Sequence, residues 1–516
     1  MRDLRFKRTL GPLLCLLLLP RAAAPGQAPE TAGPLKGIDA YVEKGLSDWS
    51  IPGLAIAIVK DDGVVLLRGY GVREAGRPER VDGQTLFGIG SATKSFTAAA
   101  VGLLVEEKKM AWDDPVTRHL PEFRLYDAGL TQQVTLRDLL GHRTGLPRAN
   151  GTLLSGYGRA ETARRMRYLK PVAGLRSQFT YSNQMYLVAG LALEAATRTG
   201  WDDFVRRRLF APLGMTASDT SLTALERAPN AARPHAKIRG KVERLPLNNN
   251  DSIAPAGSIS SNAGEMANWV RLFLNDGAFG GRQVLSPQVV RALQSQQTVI
   301  PVGPLTERLF PTTHFQGYGL GWFVRDYRGR KVVEHGGNVD GMTAQVGMLP
   351  EEKLGVVILS NMNNTPFPAA LMYRVFDSYL GDAERQTDLS AEYLKLAREG
   401  EARAKAPEKE SGERRSADAK PALPLDGYAG TYTNELYGEA SVTLRGGELY
   451  LKFNEAAQGA LEHWENETFR ISWSSPLFVE AVGKTPVTFL VQGGEVVGLS
   501  AQNLADYRRV PPGSAK

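Results

Sequence analysis

Residues 404–421 read AKAPEKESGERRSADAKP and carry almost no large apolar side chain. Such a stretch cannot bury enough surface to offset the entropy of ordering it, so it reads as a solvated linker. The 516-residue chain must therefore build a core on either side of it. Leu389–Arg403 has the pattern of one charged helix, and 386–424 together form a helix-and-linker segment. Beyond it, Gly446-Gly447 separates Ser441–Arg445 from Glu448–Phe453, and Gly493-Gly494 separates Val487–Val491 from Val496–Leu499. Gly-Gly between alternating apolar runs is a hairpin signal. Repeated short strands without helices predict a small all-β barrel or sandwich over 425–512.

The longer part, 35–385, mixes periods. Leu35, Ile38, Val42 and Leu46 fall at helical spacing, and Ile51-Pro52-Gly53 stops that helix. Leu54–Val59 and Val64–Tyr70, joined by Asp61-Asp62-Gly63, read as a β-hairpin. Helices are predicted over about Thr93–Lys108, Thr135–Leu140, Tyr186–Thr199 and Asn262–Asn275, the last with Asn262 and Glu265 in a capping pattern. Strand-like runs follow around Gly319–Arg325, Ala344–Leu349 and Gly355–Ser360. Strands at both ends with helices between them predict an α+β unit, an antiparallel sheet covered by helices with a helical subdomain.

The N-terminus has the three parts of a secretory signal. Arg2, Arg5, Lys7 and Arg8 precede the apolar run Leu10–Leu19, and Arg21–Ala24 offers an A-x-A-like cleavage site. This assigns 1–24 to a signal peptide, 25–34 to a Pro/Ala/Gly-rich spacer, and the mature protein to the periplasm or exterior. Removing 1–24 takes away five basic residues and one acidic, so the net charge falls from +7 to +3, and it takes away Cys15, the only cysteine. A disulfide scaffold, a cysteine nucleophile and cysteine-ligated metal are then excluded. No polybasic stripe or aromatic-basic platform suggests nucleic-acid binding. No later run reaches the ~18 apolar residues that span a bilayer, so no stable membrane anchor is expected after cleavage.

Three segments carry chemistry. Phe87–Lys94 reads FGIGSATK at the start of the small-residue helix, and Ser91 is the only serine in the chain with lysine three residues on. Residues three apart at a helix start share a face, so Lys94 can exchange a proton with Ser91, which is a poor nucleophile without such help. In Tyr181-Ser182-Asn183, a phenol near a lysine can ionise more easily and serve as general base, and Asn183 can donate to a substrate carbonyl. The same Y-x-N spacing recurs at Tyr432-Thr433-Asn434. In the third segment, a short apolar strand runs into His335-Gly336-Gly337-Asn338, where backbone N–H groups free of side chains can hold an oxyanion. His335 is the only one of six histidines followed two residues later by glycine. No G-x-S-x-G elbow surrounds Ser91, which disfavours an α/β-hydrolase, and the histidines lack metal-ligand spacing.

Taken together, in this order, S-x-x-K, Y-x-N and H-x-G resemble the penicillin-recognising serine hydrolases: class C β-lactamases, D-alanyl-D-alanine carboxypeptidases, D-aminopeptidases and related esterases. The resemblance covers roughly 35–380, including Thr135–Pro147, Ala254–Ser261 and Pro350–Asn361. It implies a β-lactamase/transpeptidase-like fold in which Ser91 is the acyl-enzyme nucleophile, Lys94 its proton partner and Tyr181 the general base. It implies further that Asn183 and His335 bind substrate, that the backbone of Ser91 and Asn338 forms the oxyanion hole, and that no metal or organic cofactor is used. The C-terminal segment, opening on Tyr428–Tyr432, resembles the lipocalin-like barrel appended to some members. Such a barrel could gate the cleft, drive oligomerisation, bind a small molecule of its own, or serve as a structural cap with no ligand. One departure matters: His335 stands where the family's lysine clamps a substrate carboxylate, and imidazole is largely neutral at pH 7 with a pKa of ~6.5. The resemblance therefore points to a peptidase or amidase on D-residue peptides, or an esterase on small esters, ahead of a β-lactamase or carboxypeptidase. A penicillin-binding sensor without efficient turnover is the reading from another class.

Overall fold

The computed structural model describes residues 33–381, 387–411, 420–502 and 504–511; the predicted signal peptide and spacer residues 25–32 lie outside them. Helix α1 (Ile38–Trp49) leads into the hairpin β1 (Gly53–Lys60) and β2 (Gly63–Gly71), where Asp61 and Asp62 both take positive φ, 50° and 65°. Two left-handed residues in sequence are what a tight hairpin turn matching the strand twist requires. Six more strands complete the sheet: β3 (Thr298–Ile300), β4 (Gln316–Tyr318), β5 (Phe323–Tyr327), β6 (Arg330–Val339), β7 (Met342–Leu349) and β8 (Leu354–Ser360). The order is β2-β1-β8-β7-β6-β5-β4-β3, and every pairing is antiparallel. Of the run predicted around Gly319–Arg325 only Phe323–Arg325 is strand, within β5; residues 319–322, with Gly321 at φ 82°, turn the chain from β4 into β5.

β1 and β8 are apolar at nearly every position because both faces of the sheet are covered. Ala55, Ala57 and Val59 pack with α2 (Thr93–Glu106) and α4 (Ala263–Leu274) on one face. Leu54, Ile56 and Ile58 pack with α1 and α5 (Phe367–Leu380) on the other. The third long helix of this unit, α3 (Asn183–Thr197), stands in the helical subdomain beside α2. α2 is buried on all sides from Thr93 to Leu104, and Phe96 stacks on Trp269 of α4 with ring centres 3.8 Å apart. A helix apolar all round can only be central, so its first turn is held rigidly from every direction. Asn262 caps α4 by accepting the Glu265 N–H, but the Glu265 carboxylate turns instead to the N–H groups of Ala217 and Ser218, leaving half a capping box.

Helix α6 (Leu389–Ser411) continues past Arg403 into the stretch read as linker, since charged residues can form helix without a core; 412–419 lie outside the described residues. The C-terminal unit is a closed eight-stranded antiparallel barrel, β9 (Gly430–Asn434) to β16 (Ala505–Arg509), with both Gly-Gly pairs at hairpin turns and at positive φ. It is not free of helix: Pro476–Val482 forms a short one between two strands. The interior is filled by Tyr428, Tyr432, Phe469, Phe489, Leu451 and Ile471 among others. The second Y-x-N is structural, with Tyr432 donating to the Tyr428 carbonyl and Asn434 Oδ1 accepting the N–H groups of Leu436 and Tyr437. The turn so formed seats the barrel on the hydrolase unit. Leu436 joins the main core, and Arg165, stacked 4.0 Å over the Tyr157 ring, donates to the Glu435 carbonyl. No helix among the described residues is long and apolar enough to cross a membrane.

Candidate active site

The structure gathers all three sequence motifs at one end of α2. Ser91 lies in the single 3₁₀ turn Gly90–Ala92 that opens the helix, and Lys94 sits in its first α-turn. Lys94 is fully buried, and its Nζ lies 3.0 Å from Ser91 Oγ, 2.7 Å from Asn183 Oδ1 and 2.8 Å from the Ala256 carbonyl. Burial, reinforced by the nearby positive charge of Arg148, holds its pKa well below the ordinary 10.5. Two of the three partners can only accept; the third, a hydroxyl, can donate. That set satisfies three N–H groups of an ammonium and, once a proton is lost, lets an amine spend two N–H groups on Asn183 and Ala256 and turn its lone pair to the Ser91 O–H.

Tyr181 comes from the end of the loop entering α3, and Asn183 is the first residue of that helix. Lys94 Nζ lies 4.8 Å from the centre of the Tyr181 ring. The phenol does not ionise more easily, as the sequence suggested. Burial pushes it up to about 12, while its hydrogen bond with Ser91 and the charge of Arg148 pull the other way. Burial outweighs both, because a phenolate enclosed in the site loses the hydration that would stabilise its charge.

His335 is 1% exposed, and both its nitrogens are committed. Nδ1 lies 2.6 Å from the Gly336 carbonyl, which only accepts, so Nδ1 carries the proton and Nε2 accepts from Tyr318 Oη at 3.0 Å. Burial and Lys94 hold its pKa down at about 3. As folded, the ring offers substrate neither a charge nor a free nitrogen, contrary to the direct binding role the resemblance implied. The backbone around it does approach Ser91. β5 pairs with β6 only as far as Phe323–Glu334, so the edge of β6 from His335 onward is vacant in the sheet, and the Ile89–Ser91 loop occupies it. A Cβ on Gly337 would lie 1.8 Å from the Ile89 carbonyl oxygen and 3.0 Å from Ser91 N. One on Gly90 (φ 51°) would lie 2.5 Å from Asn338 N. Gly336 faces the other way, toward the Gln345 side chain, and Asn338 Oδ1 accepts from Thr343 Oγ1.

Four contributors carried no role in the sequence reading: Ala256, Tyr318, His142 and Arg148. His142, at φ 54° and fully buried, accepts the Ser182 N–H at Nδ1 and packs its ring 4.2 Å from Tyr181. Burial, then Lys94 and His335, hold its pKa well below 6.5. A histidine depressed in the folded state contributes stability that is complete above the unfolded value of about 6.5 and lost as the pH falls through that range. Tm is expected to decline from pH ~6.5 downward, less steeply in His335→Gln than in the native protein. Equal slopes in a pH series of thermal melts would count against this. Among the described residues no group of three or more His, Cys, Asp or Glu is placed to hold a metal ion.

A serine and a buried lysine one turn apart, with a tyrosine from the loop entering α3 and an asparagine from its first turn closing over them, define a serine hydrolase. The profile described as Beta-lactamase matches residues 38–378, and the Domain of unknown function (DUF3471) matches 414–509. The chain belongs to the beta-lactamase family. Unguisins hydrolase ungD of Aspergillus violaceofuscus (strain CBS 115571) is 31% identical over 458 residues, 81% of this chain and 78% of the relative. Protein flp of Staphylococcus aureus (strain COL) is 24% identical over 340 residues, 64% of each. The octameric penicillin-binding protein homologue from Pyrococcus abyssi shares the fold at TM-score 0.61 and 22% identity, over 91% of this chain and 99% of that one.

Proposed function

We propose that this is an exported hydrolase working through an acyl-enzyme on Ser91, with peptides containing D-residues and small esters as its substrate class. The observation that carries the reading is the Lys94 amine, buried and hydrogen-bonded with its Nζ 3.0 Å from Ser91 Oγ. In acylation the Ser91 proton passes to Lys94 as Oγ attacks the carbonyl. The N–H groups of Ser91 and Asn338 receive the oxyanion. Tyr181, which keeps its proton in the resting site, gives it to the leaving atom and recovers one from Lys94. Water then retraces the route to free Ser91. Asn183 accepts from Lys94 with its oxygen and keeps its N–H₂ end for the substrate carbonyl.

The 31%-identical relative is named a hydrolase, which supports turnover over a binding-only role. The β-lactamase and carboxypeptidase readings rely on a cation in the third motif, which His335 does not supply. The N-terminal signal supports action in the periplasm or exterior. The test is release of nitrophenol from p-nitrophenyl butyrate by the mature protein beside Ser91→Ala. Activity is expected to vanish in the variant; equal release by both overturns the Ser91 assignment. A D-amino-acid amide and a chromogenic cephalosporin, run in parallel, separate peptidase from β-lactamase.

A further inference from the structure

With His335 neutral and enclosed, and Lys94 spent on Ser91, Asn183 and Ala256, any cation that meets the substrate must come from elsewhere. The guanidinium groups of the helical subdomain are mostly committed. Arg137 pairs with Asp113, Arg143 and Arg176 with Asp138, and Arg159 with Asp202. Arg148 is not: it is exposed and makes no hydrogen bond or ion pair with a described residue. Its Cζ lies 4.6 Å from the centre of the Tyr181 ring, and its charge bears on Lys94, Tyr181 and His142 alike.

The exposed side chain stands on an anchored backbone. Leu146 and Ala149 are fully buried on either side of it. The Ala149 carbonyl accepts from Gln184 Nε2 at 2.9 Å, and Gly145, at φ 78°, donates its N–H to Thr180 Oγ1 at 3.2 Å. An arginine stacked on a ring keeps the edge of its guanidinium plane for in-plane donation, the fork geometry that matches a carboxylate. A surface arginine resting on an aromatic is common in proteins; here the aromatic is the one bonded to Ser91.

From this geometry we infer that Arg148 binds a carboxylate on the substrate, replacing the clamp that the third motif lacks. The inference rests on the Ser91 reading above and narrows its substrate class to acyl compounds bearing an anionic group near the scissile bond. The site then retains a carboxylate clamp, moved from the sheet edge to the segment around Arg148 that lies against Tyr181.

The test uses two esters of equal acyl length, p-nitrophenyl valerate and the p-nitrophenyl hemiester of glutaric acid, with native protein, Arg148→Ala, Arg148→Lys and Ser91→Ala. The native protein is expected to prefer the hemiester in kcat/KM. Arg148→Ala should cut the hemiester-to-valerate ratio by roughly 10- to 100-fold, mainly through KM, the range of a hydrogen-bonded charge pair. Arg148→Lys should retain part of the preference. Any effect of Arg148 on Lys94 or Tyr181 acts on both esters and cancels in the ratio. A ratio unchanged in Arg148→Ala, with hydrolysis still dependent on Ser91, overturns the inference and leaves the Ser91 reading standing. No Ser91-dependent hydrolysis of either ester overturns both.

Discussion

Replacing Lys94 with methionine is expected to lower kcat/KM on p-nitrophenyl butyrate by roughly 10²- to 10⁴-fold, the usual contribution of a positioned general base. Methionine keeps the length and apolar bulk of the buried stem, so the fold should persist, and a far-UV spectrum would check that. The loss comes from the lone pair: Lys94 Nζ, 3.0 Å from Ser91 Oγ, is the group placed to take its proton on attack. Because burial and Arg148 hold the amine well below 10.5, native activity is expected near neutral pH, rising with pH through the depressed value and not waiting for pH ~10. A rate that kept climbing to the ordinary lysine value would show an amine charged at rest, and the proposed proton route would fail.

The second large effect is expected at Gly337. Gly337→Ala drives a methyl to 1.8 Å from the Ile89 carbonyl oxygen and 3.0 Å from Ser91 N. Both neighbours are backbone, so no side chain can swing aside, and the loop must move away from β6. Overpacking of this kind costs about 1–3 kcal/mol, and displacing one oxyanion donor costs roughly 10²- to 10³-fold in kcat. Gly336→Ala is the matched control. Its closest contact would be the Gln345 amide oxygen, at 2.9 Å, which is the end of a side chain and can shift. Urea melts and kcat for the pair would decide the matter: similar behaviour of the two variants would remove the close seam between β6 and the Ser91 loop from the explanation.

Much of this organisation was legible before any coordinates. Period and punctuation marked the β1–β2 hairpin, the helix after Ser91 and the Gly-Gly hairpins of the barrel, because those features depend on a few neighbouring residues. Boundaries drifted where local signals were weak. α6 runs on to Ser411 because charged residues tolerate helix without packing, and the short helix Pro476–Val482 sits inside an otherwise all-β unit.

The roles of the site groups were a different matter. The sequence by itself determined that Ser91 and Lys94 share one helical face, since three residues of helix impose that spacing wherever the helix lies. It also determined that the third motif would bring imidazole in place of an ammonium. Only the tertiary structure decided what those groups are worth chemically. Burial of Lys94 beneath Ala256 and Asn183 holds the amine's pKa well below its ordinary value, and burial of Tyr181 pushes its phenol up to about 12. Enclosure of His335 by Tyr318 and its own strand removes it from the substrate. Arg148, one exposed arginine among many in the sequence, acquires meaning only because the fold lays it on the Tyr181 ring. Spacing along a helix is a property of bonded neighbours, whereas charge state and accessibility depend on desolvation by segments tens to hundreds of residues away, and only the folded chain brings those together.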